Sequence, residues 1–282
     1  DIYLSNKSSG NFSLSSIYTV NGSLEASGFL PYQIPLTQAR NADLRFGGMV
    51  KNEAVSRKNA RLAFNVTGPV TFGDTTGSYL IASNASILAM VKSSTKYSPY
   101  EIGEYELSAS LLTDSTDEGF DNQIQATFNV SDSIYSRTNG LTDGTGIWIQ
   151  NQFERIGSTF QIFKEDTVLS AWIDIHSTCD SGSRFRVKIF NHDVLTSSIY
   201  STSAVIVREK DLGKSIRIPM GVNLAPGKYV FAIELETGKL VINTTAKEKS
   251  PNGVSFSKLS GKPWKHLAYY PMMRFVFPSV DE

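Results

Sequence analysis

Few residues in this sequence could catalyse a reaction. There are three histidines in 282 residues, and they are His176, His192 and His266. Nucleophilic catalysis needs a histidine beside a serine or cysteine, with a third group to orient it. None of the three histidines stands in a recognised catalytic motif. The run from His176 to Cys179 and Asp180 contains residue types that bind zinc, but a zinc site needs three or four ligands and no second pair follows. We therefore expect a strand end and a turn here, and a protein that is not an enzyme.

An acidic loop offers a second kind of chemistry. Residues 113–123 read TDSTDEGFDNQ and include Asp114, Asp117 and Asp121. Closely spaced carboxylates on a loop with glycine are ligands that calcium prefers. The loop lacks the D-x-[DN]-x-[DN]-G order of an EF-hand, so a solvated hairpin is favoured over calcium. No other cofactor is expected.

Two groups of aromatic residues suggest binding, because flat rings edged by polar groups can stack on sugars. In a strand predicted over 167–176, alternation places Trp172 on one face with Asp174 and His176. The segment GKPWKHLAYYP (261–271) holds the second group, which consists of Trp264, His266, Tyr269 and Tyr270. We expect an extracellular glycan or protein as the partner, with at least one of Trp172 and Trp264 substantially exposed.

Both aromatic groups also have a purely structural interpretation, because large aromatic side chains are usually well buried. A neighbouring strand or domain could cover Trp172. The second group could plug the end of a β-sandwich.

Composition excludes several classes of function. Hydrophobic residues make up 40% and aromatic residues 11% of the chain, as in a globular protein. The 27 basic and 27 acidic residues balance, whereas binding to nucleic acid or an anionic membrane needs a clustered basic face. No stretch reaches the roughly 18 apolar residues of a membrane helix, so we expect no membrane insertion. The single cysteine, Cys179, rules out an intrachain disulfide.

Hydrophobic residues alternate with polar ones along most of the chain. Leu62, Phe64 and Val66 are separated by polar or small residues, and Phe185, Val187 and Ile189 follow the same pattern. A period of two is typical of strands with one dry face and one wet face. No segment shows a helical stripe. The fold class predicted is therefore all-β.

The predicted strands fall into two sets. The first set is 13–20, 28–36, 43–51, 60–67, 78–92, 98–112 and 123–131, which is about the number in an immunoglobulin-like sandwich. The second set is 146–150, 153–163, 167–176, 183–191, 203–208, 214–219, 227–236, 239–244 and 271–277, which suits a jelly roll. A polar break over 131–140 separates the sets. We predict two consecutive β-sandwich domains, an Ig-like one over 1–131 and a jelly-roll-like one over 132–282.

Several stretches carry a resemblance to a known group of proteins. They are FLPYQIPLTQARNADLRFGGMVKNEA (29–54), LAFNVTGPV (62–70), IGEYELSASLLTDSTDEGFDNQ (102–123), FNVSDSIYSR (128–137), IGSTFQIFKEDTVLSAWIDI (156–175), LAPGKYVFAIEL (224–235) and YYPMMRFVF (269–277). They resemble modules of secreted Bacteroidota proteins, in which a CARDB-like Ig-type sandwich precedes a second β-sandwich. A D-x-x-Y-x-R junction joins the two sandwiches, and it is matched here by Asp132, Tyr135 and Arg137.

The resemblance implies export by type IX secretion and a location outside the cell or on its outer surface. The chain begins at Asp1 without methionine or signal peptide, so we expect a piece of a longer parent protein with other domains. The resemblance also implies O-glycosylation at D-S/T-aliphatic-or-Thr tripeptides. These would be modified at Thr75, Ser115, Ser133 and Thr167, on polar turns where a bulky glycan has room.

Three functions are compatible with these observations. The first is a non-catalytic extracellular binding or adhesion module, with a glycan as one candidate ligand. The second is a C-terminal accessory region of a larger secreted peptidase or glycoside hydrolase, acting as spacer or targeting element. The third is a surface-filament subunit, which would need an unpaired edge strand or a donor strand such as residues 1–16.

Overall fold

The computed structural model describes residues 12–20, 32–54, 56–90, 96–113, 122–142, 144–249, 254–259 and 261–280. Nearly all regular structure in them is β, which confirms the predicted class. Besides the strands there is a four-residue helix α1 (Leu36–Ala39) and a 3-10 turn at Glu209–Asp211. The strands are β1 (Phe12–Val20), β2 (Gln33–Pro35), β3 (Arg45–Asn52), β4 (Lys58–Thr67), β5 (Phe72–Thr75), β6 (Tyr79–Ile81), β7 (Ser86–Met90), β8 (Gly103–Thr113), β9 (Gln123–Ser131), β10 (Ile134–Ser136), β11 (Gly146–Ile149), β12 (Arg155–Ile162), β13 (Asp166–Asp174), β14 (Arg184–Asn191), β15 (Val194–Ser201), β16 (Val205–Ile206), β17 (Ser215–Leu224), β18 (Gly227–Thr237), β19 (Leu240–Lys249), β20 (Ser255–Lys258), β21 (Lys265–His266), β22 (Tyr269–Pro271) and β23 (Met273–Val276).

The chain divides into two compact units. The first lies within residues 1–30 and 42–129, and the second within 31–41 and 130–282. The segment 31–41, which contains β2 and α1, therefore groups with the second unit although it precedes most of the first unit in sequence. Contacts such as the hydrogen bond from Thr37 Oγ1 to Asp166 Oδ2, at 2.8 Å, hold this segment in the second unit.

Two sheets face each other in the first unit. One contains β1, β3 and β7, and the other runs β9-β8-β4-β5 with β6 also paired to β4. Phe46 on β3 stacks on Phe64 on β4 with ring centroids 5.9 Å apart, so the core lies between the sheets. The residues predicted to form the dry face of β4, Leu62, Phe64 and Val66, are buried. Because β1 pairs with β3, residues 12–16 belong to a first strand, and residues 1–11 of the candidate donor segment lie outside the described residues.

The second unit is a larger sandwich. One sheet contains β17-β13-β23-β10-β2, and the other β15-β14-β18-β12-β20-β21 with β16 also paired to β14. A smaller sheet is formed by β11, β19 and β22. Aromatic rings from both large sheets fill the interior. Phe275 on β23 lies 5.1 Å from Phe160 on β12 and 4.2 Å from Phe231 on β18, measured between ring centroids.

Two residues of the D-x-x-Y-x-R junction, Tyr135 and Arg137, are buried in the second unit, whereas Asp132 is exposed. Tyr135 is buried and its hydroxyl donates to the Gln161 carbonyl oxygen at 2.9 Å. Burial raises the pKa of Tyr135 to about 12. Arg137 donates from Nε to the Thr159 carbonyl oxygen at 2.8 Å, and its guanidinium lies 5.5 Å from the Phe160 ring centroid. The motif therefore anchors β10 to the opposite sheet.

Several predicted strand limits are wrong for local reasons. The strand predicted over 78–92 is two strands, because Asn84 turns the chain with a φ of 55°, in the left-handed region that asparagine tolerates. The strand predicted over 28–36 is only β2 within the described residues, and α1 follows it at once. Strands β5, β10, β15, β20, β21 and β22 were not predicted. Most of these are very short, and β15 is a Ser-rich edge strand with no clean alternation.

Candidate functional site

A surface cleft of the second unit lies around Trp172. Ala171 and Ile173 of β13 are buried in the core, so alternation directs Trp172 to the outer face of the sheet. The antiparallel register places Trp172 opposite Arg217 on β17 and opposite Arg274 on β23. The indole ring therefore lies in a row between two arginines.

Three further residues complete this cleft. It has a volume of about 360 Å³ and is lined by Ser133, Ile134, Trp172, Arg217, Arg274 and Val276. Trp172, Ile134 and Val276 are half-buried, so they offer an apolar surface that a ligand can still reach. The two guanidinium groups provide only hydrogen-bond donors. We call these six residues the Trp172 cleft.

Arg274 is fixed in place by neighbouring groups. Its Nη2 donates to Asp174 Oδ1 at 3.1 Å and to Ser215 Oγ at 2.9 Å, and its guanidinium lies 5.8 Å from the Trp172 ring centroid. Asp174 is buried and also accepts a hydrogen bond from Ser215 Oγ. The charge of Arg274 is therefore balanced by Asp174, and Asp174 itself serves to hold Arg274.

Arg217 is held less tightly. It is exposed on the edge strand β17, and its Nε donates to Ser170 Oγ at 3.3 Å. Among the described residues no carboxylate forms an ion pair with it. This arginine thus differs from Arg274 in having a charge that the surrounding side chains leave unbalanced.

His176, predicted to share a face with Trp172 and Asp174, lies after the end of β13 and does not line the cleft. Its Nε2 is 2.9 Å from the Gly144 carbonyl oxygen, which can only accept, so Nε2 carries the hydrogen. Its Nδ1 accepts from the Thr178 backbone N–H at 3.1 Å. Both ring nitrogens are therefore engaged in holding a turn.

The second predicted aromatic group is not a single patch. Trp264 packs edge-on against Phe190 and Phe256, with centroids 5.7 and 6.4 Å apart, and donates from Nε1 to the Leu195 carbonyl oxygen at 3.3 Å. Tyr270 is buried, whereas His266 and Tyr269 are exposed. Trp264 thus covers the outer face of β14 and β18. The binding roles of this predicted group, Trp264, His266, Tyr269 and Tyr270, stay predictions.

Trp148, which the sequence analysis did not single out, is the most exposed of the three tryptophans. We expected Trp172 or Trp264 to be substantially exposed, but both are half-buried. Trp148 instead is 63% exposed on the edge strand β11. A four-residue strand shows too little alternation to reveal which face its tryptophan occupies.

The described residues contain no group of three or more His, Cys, Asp or Glu side chains arranged to hold a metal ion. Cys179 is buried, and burial raises the pKa of its thiol. Its Sγ lies 3.5 Å from the Lys239 carbonyl oxygen. Asp114, Asp117 and Asp121, the predicted calcium ligands, lie outside the described residues.

The predicted glycosylation sites have different surroundings. Thr75 and Thr167 are half-buried within β5 and β13, not on the polar turns we expected. In each tripeptide the aspartate accepts from the backbone N–H of the threonine, at 2.7 and 2.8 Å, so these aspartates have a local structural role. Ser133 lies between β9 and β10 and lines the Trp172 cleft. Ser115 is outside the described residues.

Comparisons with known proteins show remote similarities to solved structures. No family model and no curated protein matches the chain. A structure of the clostridial cysteine protease Cwp84 after propeptide cleavage is 11% identical with a TM-score of 0.41, over 96% of this chain and 71% of that one. The cysteine protease and lectin-like domains of Cwp84 from Clostridium difficile are 11% identical with a TM-score of 0.36, over 96% of this chain and 59% of that one.

A third similar structure is that of carbohydrate-binding modules from the β-sandwich superfamily, described as promiscuous in specificity. It is 11% identical with a TM-score of 0.21, over 81% of this chain and 96% of that one. At such low identities and TM-scores, these similarities identify neither a family nor an activity of this chain. Separately, no helix in the described part of the chain is long and apolar enough to cross a membrane.

Proposed function

We propose that this protein is a non-catalytic carbohydrate-binding module that acts outside the cell. The observation that carries the proposal is the Trp172 cleft, in which an accessible indole ring lies between two arginines on the outer face of a sheet. One face of a sugar ring is apolar and its edge is lined by hydroxyl groups. An aromatic ring can stack on the apolar face while donors beside it bind the hydroxyls.

The groups around the cleft favour binding over catalysis. General acid–base catalysis needs a side chain that exchanges a proton near the working pH. Arginine stays protonated throughout the physiological range. Asp174, the carboxylate bonded to Arg274, is buried and paired. The cleft therefore supplies hydrogen bonds, positive charge and an apolar surface, but no group suited to transfer a proton.

An extracellular location is supported by the resemblance to secreted Bacteroidota modules. The junction residues that carry it, Tyr135 and Arg137, hold β10 in the core, and Ile134 of the same strand lines the cleft. The middle of the D-x-x-Y-x-R motif thus belongs to the strand that helps to build the proposed binding site.

The experiment that tests the proposal is a glycan-array screen followed by titration calorimetry of the oligosaccharides bound. Stacking of a flat ring on an aromatic side chain is worth about 1–3 kcal/mol, so Trp172→Ala should weaken binding by about tenfold or more. Trp148→Ala removes an exposed tryptophan elsewhere and should leave the affinity unchanged. Circular dichroism checks that both variants fold.

Two results would overturn the proposal. The wild-type protein could bind no glycan on an array that includes neutral and acidic oligosaccharides. Alternatively, a folded Trp172→Ala variant could bind its glycans as tightly as the wild type, which would place the site elsewhere.

A further inference from the structure

We infer that the Trp172 cleft selects acidic sugars, with Arg217 as the residue that binds the anionic group. The inference rests on the proposed carbohydrate-binding function and assigns the class of ligand. The ligand expected is an oligosaccharide whose sugar ring lies on Trp172 and carries a carboxylate or a sulfate toward β17.

The charge balance of the cleft is the first support. Two guanidinium groups line it, those of Arg217 and Arg274, and no carboxylate does. The carboxylate of Asp174 lies beside the cleft and is bonded to Arg274 at 3.1 Å. Two positive charges and one negative charge leave a net charge of +1, which resides on Arg217. A neutral sugar would leave that charge unmatched.

The position of Arg217 is the second support. The register places it directly across from Trp172 on a neighbouring strand, where cross-strand side chains lie close together. The Nε–H donates to Ser170 Oγ, which turns the base of the guanidinium toward the sheet. The two terminal nitrogens remain for a ligand, and a guanidinium fork binds planar carboxylates and other oxyanions through two parallel hydrogen bonds.

Arg274 has a different part in this arrangement. Its Nη2 is already bonded to Asp174 and Ser215, and its guanidinium lies over the indole ring. It is therefore a positioning residue for the stacking surface. Of the two arginines that line the cleft, Arg217 is the one that combines an exposed guanidinium, an unbalanced charge and a place beside Trp172.

The test compares oligogalacturonate with the matched neutral oligogalactoside, whose sugars differ in the group at C6. Calorimetry measures both affinities for the wild type, Arg217→Gln, Arg217→Lys and Arg61→Gln. The last variant removes an exposed arginine of β4 in the first unit and controls for the loss of one positive charge. A sulfated oligosaccharide of the same length is measured in parallel, to tell which anion is recognised.

Hydrogen bonds to charged groups are roughly twice as strong as neutral ones, so the wild type should bind the uronate or the sulfated sugar about tenfold or more tightly than the neutral one. Arg217→Gln should weaken the acidic ligand far more than the neutral one and so abolish that preference, because glutamine removes the charge but keeps a hydrogen-bond donor beside the stacking surface. Arg217→Lys should restore part of the preference for the acidic sugar, because lysine keeps the positive charge but lacks the two parallel donors of a guanidinium. Added salt should weaken only the anionic ligand.

The outcomes separate the two proposals. The inference would be overturned by equal affinity for acidic and neutral sugars, or by an equal loss of both affinities in Arg217→Gln. In either case the proposed function would stand if glycan binding still depended on Trp172. The absence of binding to any sugar would overturn both.

Discussion

Replacing Glu234 with glutamine should strongly destabilise the second unit. Glu234 lies in the middle strand of three, and its carboxylate accepts hydrogen bonds from Arg155 on β12 and from Lys188 on β14, the latter at 2.7 Å. The Glu234 side chain is only 4% exposed. Glutamine keeps the shape of glutamate but removes its charge. The variant therefore leaves two cations beside a neutral amide with little access to water.

The size of the effect follows from how far each cation can reach water. Removing one partner of a buried ion pair costs about 3–5 kcal/mol. Arg155 is 13% exposed and its guanidinium lies 5.0 Å from the Phe190 ring centroid, so it is held in place. Lys188 is somewhat more exposed and can turn its ammonium outward. We expect Glu234→Gln to lower the free energy of unfolding by about 3 kcal/mol, at the low end of that range.

The matched control lies two residues along the same strand. Glu236 is 20% exposed and pairs with Arg186 and with Arg184, both of which are more exposed than it is. Exposed ion pairs contribute about 0–1 kcal/mol, so Glu236→Gln should cost less than about 1 kcal/mol. The two variants delete the same charge from the same strand and differ in burial.

Urea unfolding followed by tryptophan fluorescence measures both variants selectively. All three tryptophans, Trp148, Trp172 and Trp264, lie in the second unit, so the signal does not report on the first. The midpoint and slope give the free energy of unfolding. Equal costs for Glu234→Gln and Glu236→Gln, within about 0.5 kcal/mol, would refute the reasoning that burial sets the strength of these pairs.

Three further substitutions in the second unit can be measured by the same fluorescence assay. Gly157→Ala should destabilise by about 3 kcal/mol or prevent folding, because its Cβ would lie 2.4 Å from the Phe231 carbonyl oxygen; a wild-type midpoint would show that the strands can separate. Tyr135→Phe removes the hydroxyl that donates to the Gln161 carbonyl oxygen and should cost about 1–2 kcal/mol; no loss would mean that water replaces this bond. Glu154→Gln tests a pH dependence. Burial acts to raise the pKa of Glu154, but hydrogen bonds from the Asn151 side chain and from the Asn151 and Gln150 backbone outweigh it, so the pKa is lowered. A lowered pKa stabilises the fold above the ordinary carboxyl range and loses that contribution as pH falls through the folded-state value. The variant should therefore be less stable than wild type at neutral pH, with the difference shrinking in acid, and a constant difference would contradict this assignment.

The alternation of side chains was enough to predict the long strands but not the site. Tyr105, Leu107 and Ala109 on β8 are buried as their spacing requires. Trp172 was correctly placed on the face opposite Ala171 and Ile173. Its neighbours could not be predicted, because Arg217 and Arg274 reach it through strand pairings that are distant in sequence, and register across such distances is set by the whole sandwich.

Other differences between the sequence-based predictions and the structure also have physical causes. Aromatic residues close in sequence, such as Trp264 and Tyr269, were expected to act together, but the short strands β21 and β22 separate them. The aspartates before Thr75 and Thr167 resemble turn residues, yet both cap backbone amides within strands. Sequence pattern alone does not reveal such local hydrogen bonds from a strand backbone to a neighbouring side chain.

The order of strands around the Trp172 cleft has a consequence for when the cleft can form during folding. Strand β23 lies between β13 and β10 in the sheet, yet it is the last strand of the described chain. Before β23 is in place, no strand joins β13, which carries Trp172, to β10, which carries Ile134. Pairings of such long sequence separation form slowly. The proposed glycan binding should therefore appear late and all at once during folding, so that a chain in which β23 has not yet paired would show none.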